Sequence, residues 1–269
     1  MKKLLLLCSV LSLSVLWPGD AIAQLKIGGK KLNTAKLLDA GKDVAKAVTL
    51  SDRDIAQLSR EAVAWMDANN PVADETTEYG ARLKRLTEGI TEVDGLPLNF
   101  KVYKVADVNA FACGDGSIRV FSALMDLMDD DELMAIIGHE IGHVVHADVK
   151  HAMKNAYLSS AARNAAGAAE GSTLAKLSDS QLGEVVTAFT GAQFSQKQEY
   201  AADEYGFEFS VKNGFSPYGM GNSLNKLVEL SKGAKSSTVQ KMFSSHPDSE
   251  KRAARMKEKA DAYTAAQQQ

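Results

Sequence analysis

Four of the chain's five histidines lie in a single stretch, "GHEIGHVVHADVKH" (138–151), where their spacing suits a metal ion. On an ideal α-helix, His139 and His143 lie about 40° apart around the axis and ~6 Å apart along it. Two imidazoles in this arrangement can bind one Zn²⁺ at ~2.0–2.1 Å each. Glu140 is offset from His143 by about 60°, so its carboxylate can reach a water beside the ion without being a ligand. His-Glu-x-x-His on a helix is the zinc metallopeptidase pattern, with the glutamate as general base.

The two remaining histidines of this stretch have a different geometry. His146 returns to the same helix face but lies ~10.5 Å along the axis from His139, too far for a straight helix to bring it to the same tetrahedral ion. His151 lies ~18 Å from His139 and is turned by ~120°. We expect His146 to be at most a neighbour of the site and His151 to be exposed to solvent.

A catalytic zinc site needs a third protein ligand and a fourth position open to water. The segment "FSQKQEYAADEYGFEFS" (194–210) offers Glu199 and Asp203, which are one helical turn apart. Glu199 can bind the metal, while Asp203 can accept a hydrogen bond from the outer nitrogen of a ligand histidine. Spacing alone leaves open the alternative that both belong to an acidic, exposed helix face.

The segment before the histidine helix favours strands. Apolar and polar residues alternate in "LNFKVYK" (98–104), and "VNAFAC" (108–113), "GDG" (114–116) and "SIRVF" (117–121) together predict a hairpin. A strand at a sheet edge can bind an extended peptide through its backbone. We expect this role for the strand of Asn109, Ala110, Phe111 and Ala112, with an ordinary inner strand as the alternative.

The other elements are helical, so the fold class is predicted to be α+β, mostly helical, in a single domain. Acidic residues in "DDDEL" (129–133) favour the start of the histidine helix. "SDRD" (51–54) fits a capping box. The further helices are expected over 32–48, from 51 to about 69, over 75–91, 152–190 and 194–212, from 216, and over 248–264.

The first residues have the pattern of a secretory signal peptide. "MKKLLLLCSVLSLSVLWPGDAIAQ" has two lysines, a short apolar run and a small-residue end, which predicts cleavage after Ala23. Leu7 precedes Cys8 where a lipoprotein signal has a small residue, so lipidation is not expected. We therefore predict a signal peptide (1–23), an N-terminal helical extension (24–50), a peptidase domain (51–264) and a disordered tail (265–269), in a periplasmic protein for which peripheral membrane association stays open.

Composition excludes several classes of function. The formal net charge is −3 and no block of Lys or Arg stands out, so we expect no nucleic-acid partner. No later segment is apolar enough to span a membrane. Cleavage leaves Cys113 as the remaining cysteine, so no internal disulfide can form. Cys113 is expected to be a packing residue, with oxidation sensing or pairing between chains as the alternative.

"HEIGH" followed some 55 residues later by "QEYAAD" resembles the HtpX-like and CAAX-prenyl-protease-like gluzincins, in particular their soluble periplasmic, LoiP-like branch. The segments "VNAFACGDGSIRVFSALM" (108–125), "FSQKQE" (194–199) and "HPDSEKR" (246–252) are also similar to that family, in the same order. The resemblance implies a zincin-type peptidase domain with one Zn²⁺ per chain, Glu199 as its third ligand and Asp203 as the residue behind a ligand histidine. Integral-membrane relatives have transmembrane helices and LoiP-like proteins are typically lipoproteins, which this sequence does not match.

The same resemblance places the His-Pro…Arg element, His246 to Arg252, near the zinc. His246 is then expected to be a catalytic residue that donates a hydrogen bond to the developing oxyanion, or a ligand that occupies the open zinc position. A surface position is the remaining alternative. Arg252 is grouped with the substrate-binding residues.

These features predict an exported zinc endopeptidase that cuts unfolded or misfolded envelope proteins. The resemblance adds outer-membrane proteins as substrates and their assembly machinery as a partner. Two alternatives stay open. One is a zinc-containing periplasmic chaperone or assembly factor with little proteolytic turnover. The other is a purely structural metal, for which Glu140 would have no role, because structural sites are closed and need no general base.

Overall fold

The computed structural model describes residues 26–27, 30–31, 51–164, 177–233, 245–247 and 249–268. The signal peptide predicted over 1–23 and the helix predicted over 32–48 lie outside these ranges. The helices are α1 (Asp52–Asn69), α2 (Glu78–Leu86), α3 (Ser122–Leu127), α4 (Asp130–Val145), α5 (Asp148–Asn164), α6 (Asp179–Thr190), α7 (Gln196–Lys212), α8 (Gly219–Gly233) and α9 (Ser249–Gln267). The strands are β1 (Lys26–Ile27), β2 (Lys30–Lys31), β3 (Glu92–Val93), β4 (Leu96–Pro97), β5 (Asn99–Tyr103), β6 (Ala110–Ala112) and β7 (Ser117–Phe121). The predicted α+β, mostly helical class is confirmed.

The largest described sheet has the strand order β5-β7-β6. β6 and β7 form the predicted hairpin, with Phe111 opposite Arg119 and with Gly116 in the turn at φ +85°. β5 joins the other side of β7 in parallel, with Val102 opposite Val120. Among the described residues, β6 is therefore an edge strand, as predicted for the segment Asn109–Ala112.

Polar capping residues decide where two of the helices begin. Ser51 and Asp54 form the predicted capping box of α1, and Asp129 and Glu132 form a second one at α4. Each box satisfies backbone N–H groups that have no partner inside the helix. Three carboxylates in the first turn of α4 also face the positive end of its dipole. The position where the histidine helix begins is thus decided locally.

Small residues lie where α4 and α7 cross. A Cβ atom on Gly206 would lie 2.8 Å from the carbonyl oxygen of Ala135 and 2.9 Å from the backbone nitrogen of His139. A Cβ on Gly142 would lie 3.1 Å from Cα of Ala202. The missing side chains let the two backbones approach closely, and this approach brings Glu199 and Asp203 of α7 beside the histidines of α4.

The histidine stretch forms two helices rather than the straight helix assumed from the sequence. α4 ends at Val145 with His146 at its C-cap, and Ala147 has a left-handed conformation at φ +60° before α5 begins at Asp148. This break turns the chain and buries Asp148. His151 is exposed, as expected, and His146, considered as a possible neighbour of the site, is exposed too.

Other boundaries also differ from the sequence prediction. α2 covers Glu78–Leu86 rather than 75–91, because Thr77 caps its start and Gly89 follows its end at φ +79°. α9 continues to Gln267. Its small and apolar residues Ala253, Met256 and Ala260 form a cluster with residues of α8, so the helix expected to be polar has one buried stripe.

A network of hydrogen bonds and ion pairs links Asp67 of α1 to the sheet. Arg119 is 1% exposed and its Nε donates a 2.9 Å hydrogen bond to Oδ1 of Asp67, which also accepts one from the Tyr103 hydroxyl at 2.6 Å. Burial opposes ionisation of Asp67, but hydrogen bonds from Arg119, Lys101 and Tyr103 outweigh it and lower its pKa to about 2.

Cys113 is fully buried, which raises its pKa and favours a packing role.

None of the helices in the described part of the chain is long and apolar enough to cross a membrane.

Candidate active site

Four buried side chains converge between α4, α7 and the segment before α9. His139, His143, Glu199 and His246 each offer one ligand atom, and these atoms all lie within 4.8 Å of one another. Nε2 of His139 lies 3.1 Å from Nε2 of His143 and 3.4 Å from Nδ1 of His246. The structure thus brings together the three residues predicted as metal ligands, and His246 joins them.

The distances and the donor types fit a zinc ion. Four ligands at ~2.0–2.1 Å in a tetrahedron lie about 3.3–3.4 Å apart. Oε1 of Glu199 lies 3.0 Å from Nδ1 of His246 and 3.6 Å from Nε2 of His143, while Oε2 lies 3.7 Å from Nε2 of His139. Nitrogen and carboxylate oxygen are the donors that Zn²⁺ takes at such sites.

A carboxylate lies close to Nδ1 of each of the two histidines of α4. Nδ1 of His139 lies 3.0 Å from Oδ1 of Asp203, in contact but without good hydrogen-bond alignment. Nδ1 of His143 lies 2.9 Å from Oδ2 of Asp148, whose other oxygen accepts a 2.6 Å hydrogen bond from Gln198. With Nδ1 facing a carboxylate, Nε2 of each ring faces the cluster.

Asp148 and Gln198 were missed by sequence reasoning. Asp148 follows His143 by five residues, a spacing that would place it off the metal-binding face of a continuous helix. The break at Ala147 moves it back to the ring. A left-handed alanine has no clear sequence signature, whereas Gln198 had a weak signal as the residue beside Glu199.

Arg252 is 1% exposed and lies against the two carboxylates of α7. Its Nη2 and Nε donate to the two oxygens of Asp203 at 2.7 and 2.8 Å, and Nη1 contacts Glu199. The guanidinium is thus occupied by Asp203 and Glu199. Its substrate-binding role stays a prediction, and the contacts point instead to positioning of these carboxylates.

The electrostatics keep these carboxylates charged. Burial favours the neutral form of Glu199, but the imidazoles of His246 and His143 outweigh it and hold its pKa well below the usual range. Burial likewise opposes the charged form of Asp203, and Arg252 and His139 lower its pKa. Glu199 is therefore an anion, the form in which a carboxylate binds a metal.

The surroundings of the two histidines of α4 shift their pKa values in opposite directions. Burial lowers the pKa of His139. Burial also opposes the charged form of His143, but its hydrogen bonds to Asp148 and Glu199 outweigh this and raise its pKa to about 9. A metal ion that binds here displaces a proton from His143, because only neutral imidazole is a ligand.

Glu140 is 3% exposed and lies beside the cluster without belonging to it. Its Oε1 is 3.9 Å from Nε2 of His246. Phe194 stacks on His143 with 4.0 Å between ring centroids, and its backbone N–H donates to the carbonyl of Ser245. The segment that carries His246 is thus tied to the residue that covers His143.

A groove of about 750 Å³ extends from Ser245 past β6 toward Trp65 of α1. Asn109 and Phe111 line it, and the buried Oδ1 of Asn109 has no hydrogen-bond partner within the described part of the chain. Asn109 and Cys113 pair with β7 through their backbones. Because hydrogen-bonded pairs alternate along an antiparallel strand, the N–H groups of Ala110 and Ala112 point away from β7.

Comparison with known proteins agrees with this chemistry. The sequence pattern of peptidase family M48 matches residues 79–260. Metalloprotease LoiP of Escherichia coli (strain K12) is 39% identical over 243 residues, which cover 90% of this chain and 94% of that protein. Metalloprotease YcaL of the same organism is 37% identical over 229 residues, covering 85% and 88%. The Beta-barrel assembly-enhancing protease of E. coli is 30% identical over 175 residues, covering 61% of this chain and 35% of that protein. With a family match over most of its length and a buried cluster able to hold a metal, this chain belongs to peptidase family M48 and is a metalloprotease.

Proposed function

We propose that the chain is an exported zinc endopeptidase that cuts unfolded or misfolded proteins in the periplasm, through a peptidase domain over residues 51–264. The observation that carries the proposal is the buried cluster of His139, His143 and Glu199 with Glu140 beside it. His139, His143 and Glu199 would hold one zinc ion per chain, with Asp203 and Asp148 behind the two histidines.

Zinc supplies two effects when bound: it polarises the scissile carbonyl and lowers the pKa of an adjacent water toward neutrality. Glu140 takes the proton from the attacking water and passes it to the leaving amine. Its burial next to the cluster supports this role, because the carboxylate lies within reach of a water beside the ion. A structural site would need no such residue.

The proposed substrate is an extended segment that adds to the free edge of β6. Ala110 and Ala112 are each 1% exposed, so their outward N–H groups can donate to it once the residues over this edge move, and this backbone pairing is largely independent of sequence. Asn109 supports the proposal, because it lines the groove beside this strand, where its side chain can orient the peptide. Such pairing requires an unfolded or flexible segment, which favours unfolded or misfolded clients.

We favour His246 as the residue that occupies the open zinc position in the resting enzyme. Its Nδ1 lies 3.0 Å from Glu199 and 3.4 Å from Nε2 of His139, which are distances between ligands of one ion. An oxyanion donor would lie farther from the other ligands, on the substrate side. Substrate then replaces His246 when the segment before α9 moves.

Export and client class rest on the sequence and on the relatives. The predicted signal peptide with cleavage after Ala23 supports the periplasm. The name of the 30% identical Beta-barrel assembly-enhancing protease supports outer-membrane proteins among the clients and their assembly machinery as a partner. A chaperone with little turnover is the second candidate, which the long groove beside β6 favours.

The test is cleavage of an unfolded protein by the purified chain, with and without a chelator. Glu140→Gln should keep zinc and fold but lose hydrolysis by several orders of magnitude, because only the general base is removed. Glu88→Gln, an exposed residue away from the site, is the matched control. Near-normal turnover in Glu140→Gln would refute the mechanism. Suppressed client aggregation with intact zinc and no wild-type turnover would favour the chaperone.

A further inference from the structure

The side-chain amide of Gln198 makes hydrogen bonds in two directions. Its Oε1 accepts one from the backbone N–H of Ser195 at 2.9 Å and one from the Ser195 hydroxyl at 2.8 Å. Its Nε2 donates to Oδ1 of Asp148 at 2.6 Å. The bonds to Ser195 belong to the capping box at the start of α7, whereas the bond to Asp148 crosses to the first turn of α5. One side chain therefore joins the start of the helix that carries Glu199 to the carboxylate beside His143.

The partners of Gln198 decide which way its amide is turned. The backbone N–H of Ser195 can only donate, and the ionised carboxylate of Asp148 can only accept. An amide turned the other way would place donor against donor at Ser195 and acceptor against acceptor at Asp148. The same rule applies at the next contact, where Oδ2 of Asp148 accepts from Nδ1 of His143. A proton therefore lies on Nδ1, and Nε2 of this ring faces the cluster.

The orientation of the Asp148 carboxylate depends on these bonds. Asp148 is buried, so water has little access to replace a lost donor. The terminal torsion of an aspartate is broad, so hydrogen bonds rather than a rotamer preference decide where its two oxygens point. The amide of Gln198 holds Oδ1, and this leaves Oδ2 directed at His143.

The same short segment also contacts the face of the His143 ring. Phe194, the residue before Ser195, stacks on this imidazole with an angle of 19° between the ring planes. Residues 194–198 therefore restrain the ring at its face and, through Asp148, at its outer nitrogen. Glu199 follows directly and lies about 100° further around α7, so that its carboxylate can face the cluster while Gln198 faces Asp148.

The start of α6 has a capping box of the same kind. Oε1 of Gln181 accepts from the backbone N–H of Ser178 at 2.9 Å and from the Ser178 hydroxyl at 3.0 Å. Within the described part of the chain, the amide of Gln181 makes no hydrogen bond to a carboxylate. Capping by glutamine therefore does not require a bond like the one to Asp148, and that bond is a separate property of Gln198.

Building on the proposed zinc binding by His143, we infer that Gln198 is a positioning residue of the metal site. Through Asp148, its amide sets the orientation of the His143 ring and keeps a proton on Nδ1 while Nε2 binds the metal. The first turn of α7 thus has two functions at the site: it supplies one ligand, Glu199, and it orients another ligand that belongs to α4.

The first test compares the zinc affinity of the parent with that of Gln198→Met and Gln181→Met, by competition with a chromophoric chelator at pH 7. Both substitutions remove a capping amide and keep the side-chain length and the net charge. Loss of a residue behind a metal-bound histidine typically lowers affinity about 10–100-fold, and Gln198 acts one bond further out, so Gln198→Met should lower it about three- to tenfold. Gln181→Met should leave it unchanged.

The outcomes of this comparison separate the inference from the proposed function. Equal zinc affinity in the parent and Gln198→Met would overturn the inference and leave the proposed function intact. An equal loss in Gln181→Met would assign the effect to helix capping and would also overturn the inference. A parent protein that binds no zinc would overturn both.

The second test determines whether Gln198 acts through Asp148. Gln198→Met is combined with Asp148→Ala, in which the carboxylate that the amide holds is missing. Effects of residues that act through one contact are not additive, so the further loss of zinc affinity should be less than about twofold. A loss as large as in the parent background would show that Gln198 acts through the start of α7 alone, and the inference would be wrong.

Proton exchange at His143 provides a measurement that helix capping does not affect. In the zinc-loaded protein with 15N-labelled histidine, the Nδ1–H proton of His143 should exchange with water faster in Gln198→Met than in the parent or in Gln181→Met, because its acceptor is held less firmly. Gln198→Ala removes the same amide with a smaller side chain, for the case that methionine disturbs the fold. Exchange at the parent's rate in folded Gln198→Met or Gln198→Ala would overturn the inference.

Discussion

Removal of the Asp148 carboxylate should weaken zinc binding without changing any proposed ligand. Asp148 is 5% exposed and its Oδ2 lies 2.9 Å from Nδ1 of His143. This contact keeps the proton on Nδ1 and leaves Nε2 free for the metal. Asp148→Asn keeps an oxygen acceptor but loses the charge, and its amide can turn to donate to Nδ1, which would place the proton on Nε2. Asp148→Ala removes the acceptor and leaves the amide of Gln198 without its partner.

The magnitude follows from these contacts. Loss of a residue behind a metal-bound histidine typically lowers metal affinity by about 10–100-fold, or ~1.4–2.7 kcal/mol. A hydrogen bond to a charged group contributes about 1.5–3 kcal/mol and a neutral one about 0.5–1.5 kcal/mol. Their difference of roughly 1 kcal/mol puts Asp148→Asn near the lower end of the range. Asp148→Ala should be near the upper end.

Zinc affinity would be measured by competition with a chromophoric chelator at pH 7. Asp148 is also in the first turn of α5, where loss of a negative charge weakens its interaction with the helix dipole. Asp179→Asn makes the same change in the first turn of α6, away from the site, and should leave affinity unchanged. If folded Asp148→Ala binds zinc within twofold of the parent, the positioning argument is wrong.

Three further predictions test other parts of the site and the fold. His246→Ala should raise peptide hydrolysis and weaken zinc binding; a loss of about 10²–10³ in kcat with unchanged zinc affinity would instead identify an oxyanion donor. Ala110→Pro should raise KM at unchanged zinc content, because it removes a donor from the free edge of β6, and an equal KM would place the substrate elsewhere. Asp67 has its pKa lowered from 3.8 to about 2, so the stability it contributes is present above pH 3.8 and is lost as the pH falls through about 2. Urea unfolding of Asp67→Asn across this range should lack that loss, and a slope equal to the parent's would contradict the prediction.

The sequence was most informative where neighbours within one helical turn decide the structure. The pairing of His139 with His143 follows from the period of 3.6 residues, and the capping residues Ser51 and Asp129 act on backbone groups three positions away. The β6–β7 hairpin follows from a short turn with glycine at positive φ. Each of these features requires only local chain geometry, so the pattern of residues contains the information.

Whether the remaining candidate ligands come together at the site depends on which helix faces pack against one another. Spacing alone does not tell whether Glu199 is a ligand or an acid on an exposed helix face. The crossing of α4 and α7 at Gly206 buries Glu199 beside His139. His246 lies 107 positions from His139 in the chain. Its position beside the cluster depends on the packing of α9, which follows it in the chain, against α8. Asp148 reaches His143 through a break in the helix that periodicity does not reveal. The candidate pair His139 and His143 was therefore determined by local sequence, whereas the full set of candidate ligands was decided by tertiary packing, because close approach of distant backbones depends on the whole core.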